Sequence, residues 1–442
     1  MNVFDEGQST THANGKWKFP FFAVWTGQAF SLLGSQLVQF ALIWWLTKTT
    51  GSATVLATAS LVGLLPQVIV GPLAGAFVDR WNRRITMIVA DGLVALATLG
   101  LIFLFYTGMV QVWHIYLIML LRATAGGFQW PAMQASTSLM VPKEHLSRIQ
   151  GLNQMLNGAM NIGAAPIGAL LMSFLPMHNI LTIDIATAFL AVLPLFFIPI
   201  PQPERVIAVD TVDGKTSIWH ELMAGFRYVW AWPGLVMILV MATLINLLLN
   251  PAAALQPILV SKHFGGGAMQ LAWMESAWGI GVVAGGLTLS AWGGFRRRVL
   301  TSLGGLIGLG IGMFVVGVLP ASALLVAVGM MFFVGFTNPI INGPLFAVLQ
   351  SIVAPEMQGR VFNLVLSVAS LMTPVGLILA GPVADTFGVQ SWFIVGGILT
   401  TVLGAGAFFI PAIVGVEDGR AADTPASAEP LLATSQAKAS AD

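Results

Sequence analysis

"GPLAGAFVDRWNRR", Gly71 to Arg84, sets the reading of this chain. An apolar, glycine-rich run ends abruptly in Asp79, Arg80, Arg83 and Arg84, in a chain where Asp, Glu, Lys and Arg together make up only 8%. Soluble domains carry about 25% charged residues. With 442 residues, 57% of them hydrophobic, and a mean hydropathy of +0.85, this chain cannot cover a water-exposed surface of its size. Its solvent is lipid, and charge gathers where the chain turns between two spans.

The rest of the composition removes whole function classes. A net charge of +1 gives no case for nucleic-acid binding, and the absence of cysteine excludes disulfides, thiolate metal sites and a cysteine nucleophile. "DGKT" (Asp213–Thr216) lacks the upstream glycine and strand of a phosphate-binding loop. The six histidines sit at loops and segment ends, with no nucleophile–His–acid set. No enzyme, cofactor or metal is expected. The polar first 17 residues lack the apolar core of a signal peptide, so the first span is expected to act as its own insertion signal.

A helix needs about 20 apolar residues to cross a bilayer. Twelve segments qualify: 20–46, 53–78, 85–107, 112–140, 150–174, 179–199, 235–260, 269–292, 299–318, 322–352, 361–386 and 391–413. Runs this long exclude the short alternating strands of a membrane β-barrel. With the N-terminus inside, 16 of the 19 Lys and Arg residues fall on the cytoplasmic side, Lys48 and Lys262 fall outside, and Arg122 lies within a span. That asymmetry places both termini in the cytoplasm. The expected organisation is an N-terminal tail (1–17), a six-helix bundle (18–200), a linker (201–233), a second six-helix bundle (234–415) and a disordered tail (416–442). Within the linker, Trp219, Leu222, Met223 and Phe226 recur at helical spacing behind Ser217, which predicts an amphipathic helix on the membrane surface.

The two halves echo each other. Pro131 and Pro142 are 11 residues apart with Arg148 beyond, and Pro344 and Pro355 repeat that spacing with Arg360 beyond. Parallel repeats about an axis normal to the membrane are a transporter architecture, with the substrate site between the halves near the midplane.

At these residues the chain resembles a known family. Gly75, Asp79, Arg80, Arg83 and Arg84 in "GAFVDRWNRR" resemble the loop between helices 2 and 3 of the major facilitator superfamily, and "RATAGGF" resembles its helix-4 motif, with Arg122 and Gly126 in register. "PAMQASTSLMVP" and "GRVFNLVLSVASLMTPVGLILAGPVAD" are similar to the macrolide-efflux branch, drug:proton antiporters of bacterial cytoplasmic membranes; siderophore exporters share this branch. The resemblance runs from about residue 15 to 415. It implies an all-α membrane protein with twelve helices in two pseudo-symmetric bundles, and a gate in which Asp79 reaches the start of helix 11. Two departures stand out. Helix 5 has Ala165-Pro166 and a single Gly168 in place of Gly-Pro and paired glycines, and the second-half loop has Ser290 and Ala291 where Asp79 and Arg80 stand.

Intramembrane charge marks function by default. Arg122 must find acceptors inside the bundle; of the intramembrane acids Asp184 is the first candidate for carrying the proton and Glu275 the second, while Asp91 either joins the coupling or braces the signature loop. Asp385, beside a turn, reads as a helix cap. Polar stripes at helical spacing are expected to line a shared cavity: Gln28, Ser31, Ser35 and Gln39; Gln154, Asn157 and Asn161; Thr243, Asn246 and Asn250; Asn363, Ser367 and Ser370. Trp25, Phe30, Trp130 and Trp278 supply apolar wall for a bulky substrate. The expected function is proton-coupled efflux of a lipophilic compound such as a macrolide by alternating access, from a monomer in the bacterial cytoplasmic membrane, with protons as the coupling ion. Export of a siderophore or other metabolite, proton-coupled uptake, and a non-transporting receptor are the alternatives.

Overall fold

The computed structural model describes residues 17–78, 81–200, 202, 223 and 226–417. The expected tails, most of the linker and its amphipathic helix lie outside these residues. Twelve long helices follow one another: α1 Lys18–Thr50, α2 Ala53–Val78, α3 Arg83–Tyr106, α4 Val112–Met140, α5 Leu146–Phe174, α6 Met177–Phe197, α7 Pro233–Ile258, α8 Ala268–Trp292, α9 Arg298–Val318, α10 Leu324–Ile352, α11 Pro355–Phe387 and α12 Val389–Ala407, with a short α13, Pro411–Val414. A π-turn, Leu259–His263, extends α7. No strand occurs among the described residues.

Local chemistry sets the helix ends. α1 runs to Thr50, beyond the expected 46, and stops where Gly51 takes a left-handed φ of 60° and its N–H bonds the Thr47 carbonyl. The Asn82 side chain caps α3 by accepting from the Ile85 N–H. α12 ends at Ala407, not 413, because the chain leaves the helix ahead of Pro411. Among the described residues, nine helices are long and apolar enough to cross a membrane. The others are α2, α4 and α8, and Arg122 and Glu275 fall on the last two. On α3, Ile85, Val89, Leu93, Leu96, Leu99 and Phe103 are all exposed along one side, while Asp91 on the other is 4% exposed. An apolar exterior around a polar interior is the pattern of a helix between lipid and a wet core. The chain is a multi-pass membrane protein.

The same packing scheme appears twice. In the first half α1 packs on α5 and α6, α3 on α4 and α6, and α2 on α4; in the second, α7 packs on α11 and α12, α9 on α10 and α12, and α8 on α10. Between the halves, α2 packs on α11 and α5 on α8, which is one contact and its symmetry mate. Close approach demands glycine at places: a Cβ built on Gly281 of α8 would lie 2.1 Å from the Phe332 carbonyl oxygen of α10.

The halves are joined unequally along the membrane normal. Trp17 stacks near His145 at 5.3 Å, and the Glu417 carboxylate accepts from the Val299 N–H at 2.5 Å, so both described chain ends share one face. Toward that terminal face each half has its own apolar core, one around Phe21, Met87 and Leu195, the other around Leu235, Val348 and Val361. Toward the opposite face a single core holds Leu42, Leu56 and Met119 together with Leu255, Leu271 and Ala384. At that end Asp385 of α11 reaches across the halves and accepts from Ser52 Oγ (2.9 Å), Ala53 N–H (2.8 Å) and Thr54 N–H (2.9 Å). Asp385 is a cap, as expected, but it caps α2 of the other half. A carboxylate at a helix N-terminus satisfies orphan donors and meets the positive end of the helix dipole. The molecule is closed on the face away from its termini.

Gly281→Ala forces α8 off α10 and should cost about 1–3 kcal/mol, lowering the unfolding midpoint in detergent. Gly286→Ala, where an added Cβ meets nothing within 4 Å, should leave it unchanged. Losing the Asp385 cap, worth about 1–2 kcal/mol, should shift the open–closed balance about tenfold. Against a cysteine-free background, Asp385→Ala should therefore speed labelling of Gln39→Cys by an impermeant maleimide added on the face away from the termini. Equal rates would mean that the cap does not hold that face shut.

Candidate substrate and coupling site

The charges of the first half are arranged in two layers. In the first, Arg122 of α4 forms an ion pair with Asp184 of α6, Nη1 to Oδ2 at 2.5 Å, and the two side chains are only 9% and 3% exposed. Nη2 donates to Asp184 Oδ1 at 3.4 Å and to the Ser35 carbonyl at 3.3 Å. Thr98 Oγ1 of α3 accepts from Arg122 at 3.3 Å and donates to Asp184 at 3.2 Å, and Ser35 Oγ of α1 donates to Asp184 at 3.4 Å. Four helices thus meet at one charge pair. Gly34 makes room for it: a Cβ there would lie 2.1 Å from Thr187 Oγ1 and 3.4 Å from the Asp184 Cα, so α1 can close on α6 only with glycine at this position.

The second layer holds Asp91 without a cation. Gln129 Nε2 donates to Asp91 Oδ1 at 2.7 Å and to Gln28 Oε1 at 2.9 Å, while Gln28 Nε2 donates to Asp91 Oδ2 at 3.1 Å. The layers are in register. Gln28 and Ser35 on α1, Asp91 and Thr98 on α3, and Gln129 and Arg122 on α4 are each seven residues apart. Seven residues are two helical turns, about 10 Å at 1.5 Å per residue. Both layers face a cavity of about 580 Å³ within the first half, lined by Trp25, Gln28, Ser31, Ser35, Gln39, Asp91, Arg122, Gln129, Trp130 and Asn157.

A second cavity, of about 590 Å³, lies between the halves. Gln36 and Gln39 of α1 line both cavities; Asn161, Asn246, Asn250, Glu275 and Trp278 line only this one. Glu275 is therefore not brought to Arg122. The four charges named for coupling are divided among an ion pair, an amide-held acid and a separate acid. The shared-cavity expectation needs correction too. Gln154, Thr243, Asn363, Ser367 and Ser370 line neither cavity; Gln154 and the three α11 residues are exposed, and Thr243 bonds its own helix at the Leu239 carbonyl. All five sit on the terminal-face half of their helices, where the two cores separate. α11 supplies no lining residue to the second cavity; its Thr373 lies behind the wall, where its hydroxyl accepts from Asn250 at 2.9 Å. Phe30 is 48% exposed and lines neither cavity.

The basic loop between α2 and α3 binds backbone. Arg83 Nη1 donates to the Ala135 carbonyl at 2.8 Å, and its N–H donates to Gln202 Oε1 at 3.2 Å. Arg84 Nε donates to the Leu195 carbonyl and Nη2 to that of Phe196 at 2.7 Å. These carbonyls end α6, where the helix leaves acceptors unpaired and its dipole is negative. Through these bonds the two arginines tie α3 to α4 and to the end of α6. Gly75 lies in α2, and the other members of the expected gate, Asp79 and Arg80, lie outside the described residues.

Thr98 and Gln129 were missed in the sequence, although the signal was present. Each is seven residues from a charge already singled out, Asp91 or Arg122, and so lies on its face. Among the described residues the second half has no copy of this chemistry. The position 213 residues after Arg122 is Gly335, where a Cβ would lie 2.1 Å from the Trp278 carbonyl oxygen, so α8 occupies the space a side chain would need.

Known proteins agree with this architecture. Residues 24–376 match the Major Facilitator Superfamily. The chain is 34% identical over 384 residues to Macrolide efflux protein A of Streptococcus pyogenes, covering 87% of this chain and 94% of that one. It is 31% identical to Macrolide efflux protein A of Enterococcus faecalis, covering 74% of this chain and 100% of the relative. It is 27% identical to the Multidrug efflux pump Tap of Mycolicibacterium fortuitum, covering 86% and 93%. Among solved structures, the D323A mutant of the nucleoside transporter NupG superposes with a TM-score of 0.67 at 15% identity, covering 88% of this chain and 98% of that one. A bacterial homologue of the lysosomal transporter Spinster gives 0.65 at 13% identity, covering 92% and 99%. The twelve-helix body, the doubled packing scheme and the sequence match lead to one conclusion: the chain belongs to the major facilitator superfamily, and it is a membrane transporter, not an enzyme.

Proposed function

We propose that the chain exports a bulky lipophilic compound, with a macrolide as first candidate, in exchange for protons and by alternating access. The observation that carries this reading is the Arg122–Asp184 pair, buried at the junction of four helices beside a cavity. The terminal face is taken as cytoplasmic because the sequence connections that the positive-inside rule puts inside carry most of the Lys and Arg, Arg83, Arg84, Lys143, Arg148 and Arg296–Arg298 among them. A molecule closed on the other face then receives substrate from the cytoplasm or the inner leaflet. Relatives named for macrolide and multidrug efflux support the substrate class.

Electrostatics supplies the coupling. With Asp184 ionised the pair is neutral. Protonating Asp184 leaves Arg122 as an uncompensated charge, weakens the clasp on α1, α3, α4 and α6, and adds one positive charge beside the cavity. Proton and cationic substrate then oppose each other, and by linkage each lowers the affinity for the other. That mutual exclusion is what exchange requires.

In an efflux-deficient bacterial host, expression should raise the inhibitory concentration of erythromycin-like macrolides, and Asp184→Asn should return it to the vector level at undiminished membrane abundance. Resistance unchanged by the wild-type gene would move the reading to export of an endogenous metabolite. Arg122→Ala strands a buried carboxylate and should cost about 3–5 kcal/mol. Adding Asp184→Asn to it should recover most of that stability without recovering export. A double variant no more stable than Arg122→Ala would show that the two side chains are not energetically paired.

A further inference from the structure

The connection between α8 and α9 is the second half's counterpart of the Asp79–Arg84 loop, and its charge is unbalanced. Arg296, Arg297 and Arg298 are the only charged residues between Glu275 and Glu356. All three are exposed. Arg297 is engaged within the protein. Among the described residues the Arg296 and Arg298 side chains have no hydrogen-bond or ion-pair partner. In the first half, by contrast, Arg83 and Arg84 donate to the Ala135, Leu195 and Phe196 carbonyls. The second-half loop is pinned in shape. Gly293 and Gly294 take left-handed φ of 77° and 84°, and the Phe295 N–H donates to Thr301 Oγ1 at 2.8 Å. Beside the arginines the exposed rings of Trp292 and Phe295 pack edge to face, with centroids 4.8 Å apart. The bond from the Val299 N–H to Glu417 sets the loop on the terminal face. Aromatic rings at the end of a span sit at headgroup depth, and basic residues beside them meet lipid phosphates.

We propose that this loop binds an anionic phospholipid of the leaflet on the terminal face. Arg296 and Arg298 hold the phosphate, and Trp292 and Phe295 lie against the glycerol and the upper acyl chains. A guanidinium fork matches two phosphate oxygens at once. The aromatic pair gives the site an apolar floor, which suits a lipid and not a soluble anion. The bound headgroup supplies the negative charge that the second half lacks, since Ser290 stands where the first half has Asp79. One basic loop is thus tied to protein backbone and the other to the membrane. The site is independent of the compound exported.

The test is native mass spectrometry of the full chain, released from micelles holding equal amounts of phosphatidylglycerol and phosphatidylcholine with the same acyl chains. The wild type should retain phosphatidylglycerol preferentially. Arg296→Gln with Arg298→Gln should lower that preference by about fivefold for each arginine. Phosphatidylcholine adducts should stay unchanged, which also reports an intact fold. Should the pair not fold, Arg296→Gln alone carries the test with about a fivefold loss. Lys143→Gln with Arg148→Gln removes the same charge from another exposed pair on that face and should keep the preference. The inference is overturned if the wild type shows no preference, if the Arg296 and Arg298 variants keep it, or if the Lys143 and Arg148 variants lose as much. A chain ended at Glu417 that gains a preference the full chain lacks would show that the acids of residues 418–442 cover the arginines. Displacement of the lipid by excess inorganic phosphate would overturn the inference in favour of a soluble anion.

Discussion

A guanidinium in the bilayer interior is the constraint around which this molecule is built. Arg122 would cost about 2.5–3.5 kcal/mol at the centre of a span on insertion scales, and the chain offsets this with a carboxylate, a hydroxyl and a backbone carbonyl from three other helices. Glycine at position 34 brings α1 and α6 close enough to complete the set. Such a pair is weak evidence for net stability, because desolvating two charges offsets most of their attraction. In the exchange proposed above its use would lie in having two states: ionised and paired, it holds four helices together; protonated, it would release them and so convert one proton into a change of helix packing.

The doubled fold makes the single site more telling. Helix packing repeats faithfully from the first half to the second, but the chemistry does not. Gly335 stands at the position of Arg122, and Ser290 and Ala291 stand where Asp79 and Arg80 do. The first half carries the ion pair, and the cavity between the halves carries an acid of its own. The gates show a different relation. Asp385, at the end of α11, caps the start of α2 on the face away from the termini. The family resemblance assigns Asp79, at the end of α2, to the start of α11 on the terminal face. Asp385 and, by that resemblance, Asp79 mark opposite ends of the one α2–α11 contact, and in the proposed rocking motion seating one would unseat the other.

Much of the fold could be read directly from the chain. Twenty-residue apolar runs leave few alternatives in lipid, and the charge asymmetry of their connections orders them. Arg122 and Asp184 were also legible, since an intramembrane charge advertises itself by its cost. Partnership was not legible. Nothing in a linear pattern shows that Glu275 faces a different cavity from Asp184, because that depends on how α8 packs across the halves. The stripe on α11 was misleading for the same reason. Asn363, Ser367 and Ser370 do share a helix face, but they lie beyond the point where the halves part. Periodicity gives the face of a residue; its depth relative to the closed end comes only from tertiary packing.

The central claim is that Asp184 carries the proton that exchanges with substrate. Proteoliposomes loaded with a pH-reporting dye and given an inward erythromycin gradient test it most directly. Entry of drug through the wild type should drive protons out and make the lumen alkaline, whereas Asp184→Asn should give no pH change. Acidification by the wild type, or an undiminished alkaline signal from Asp184→Asn, would contradict the account.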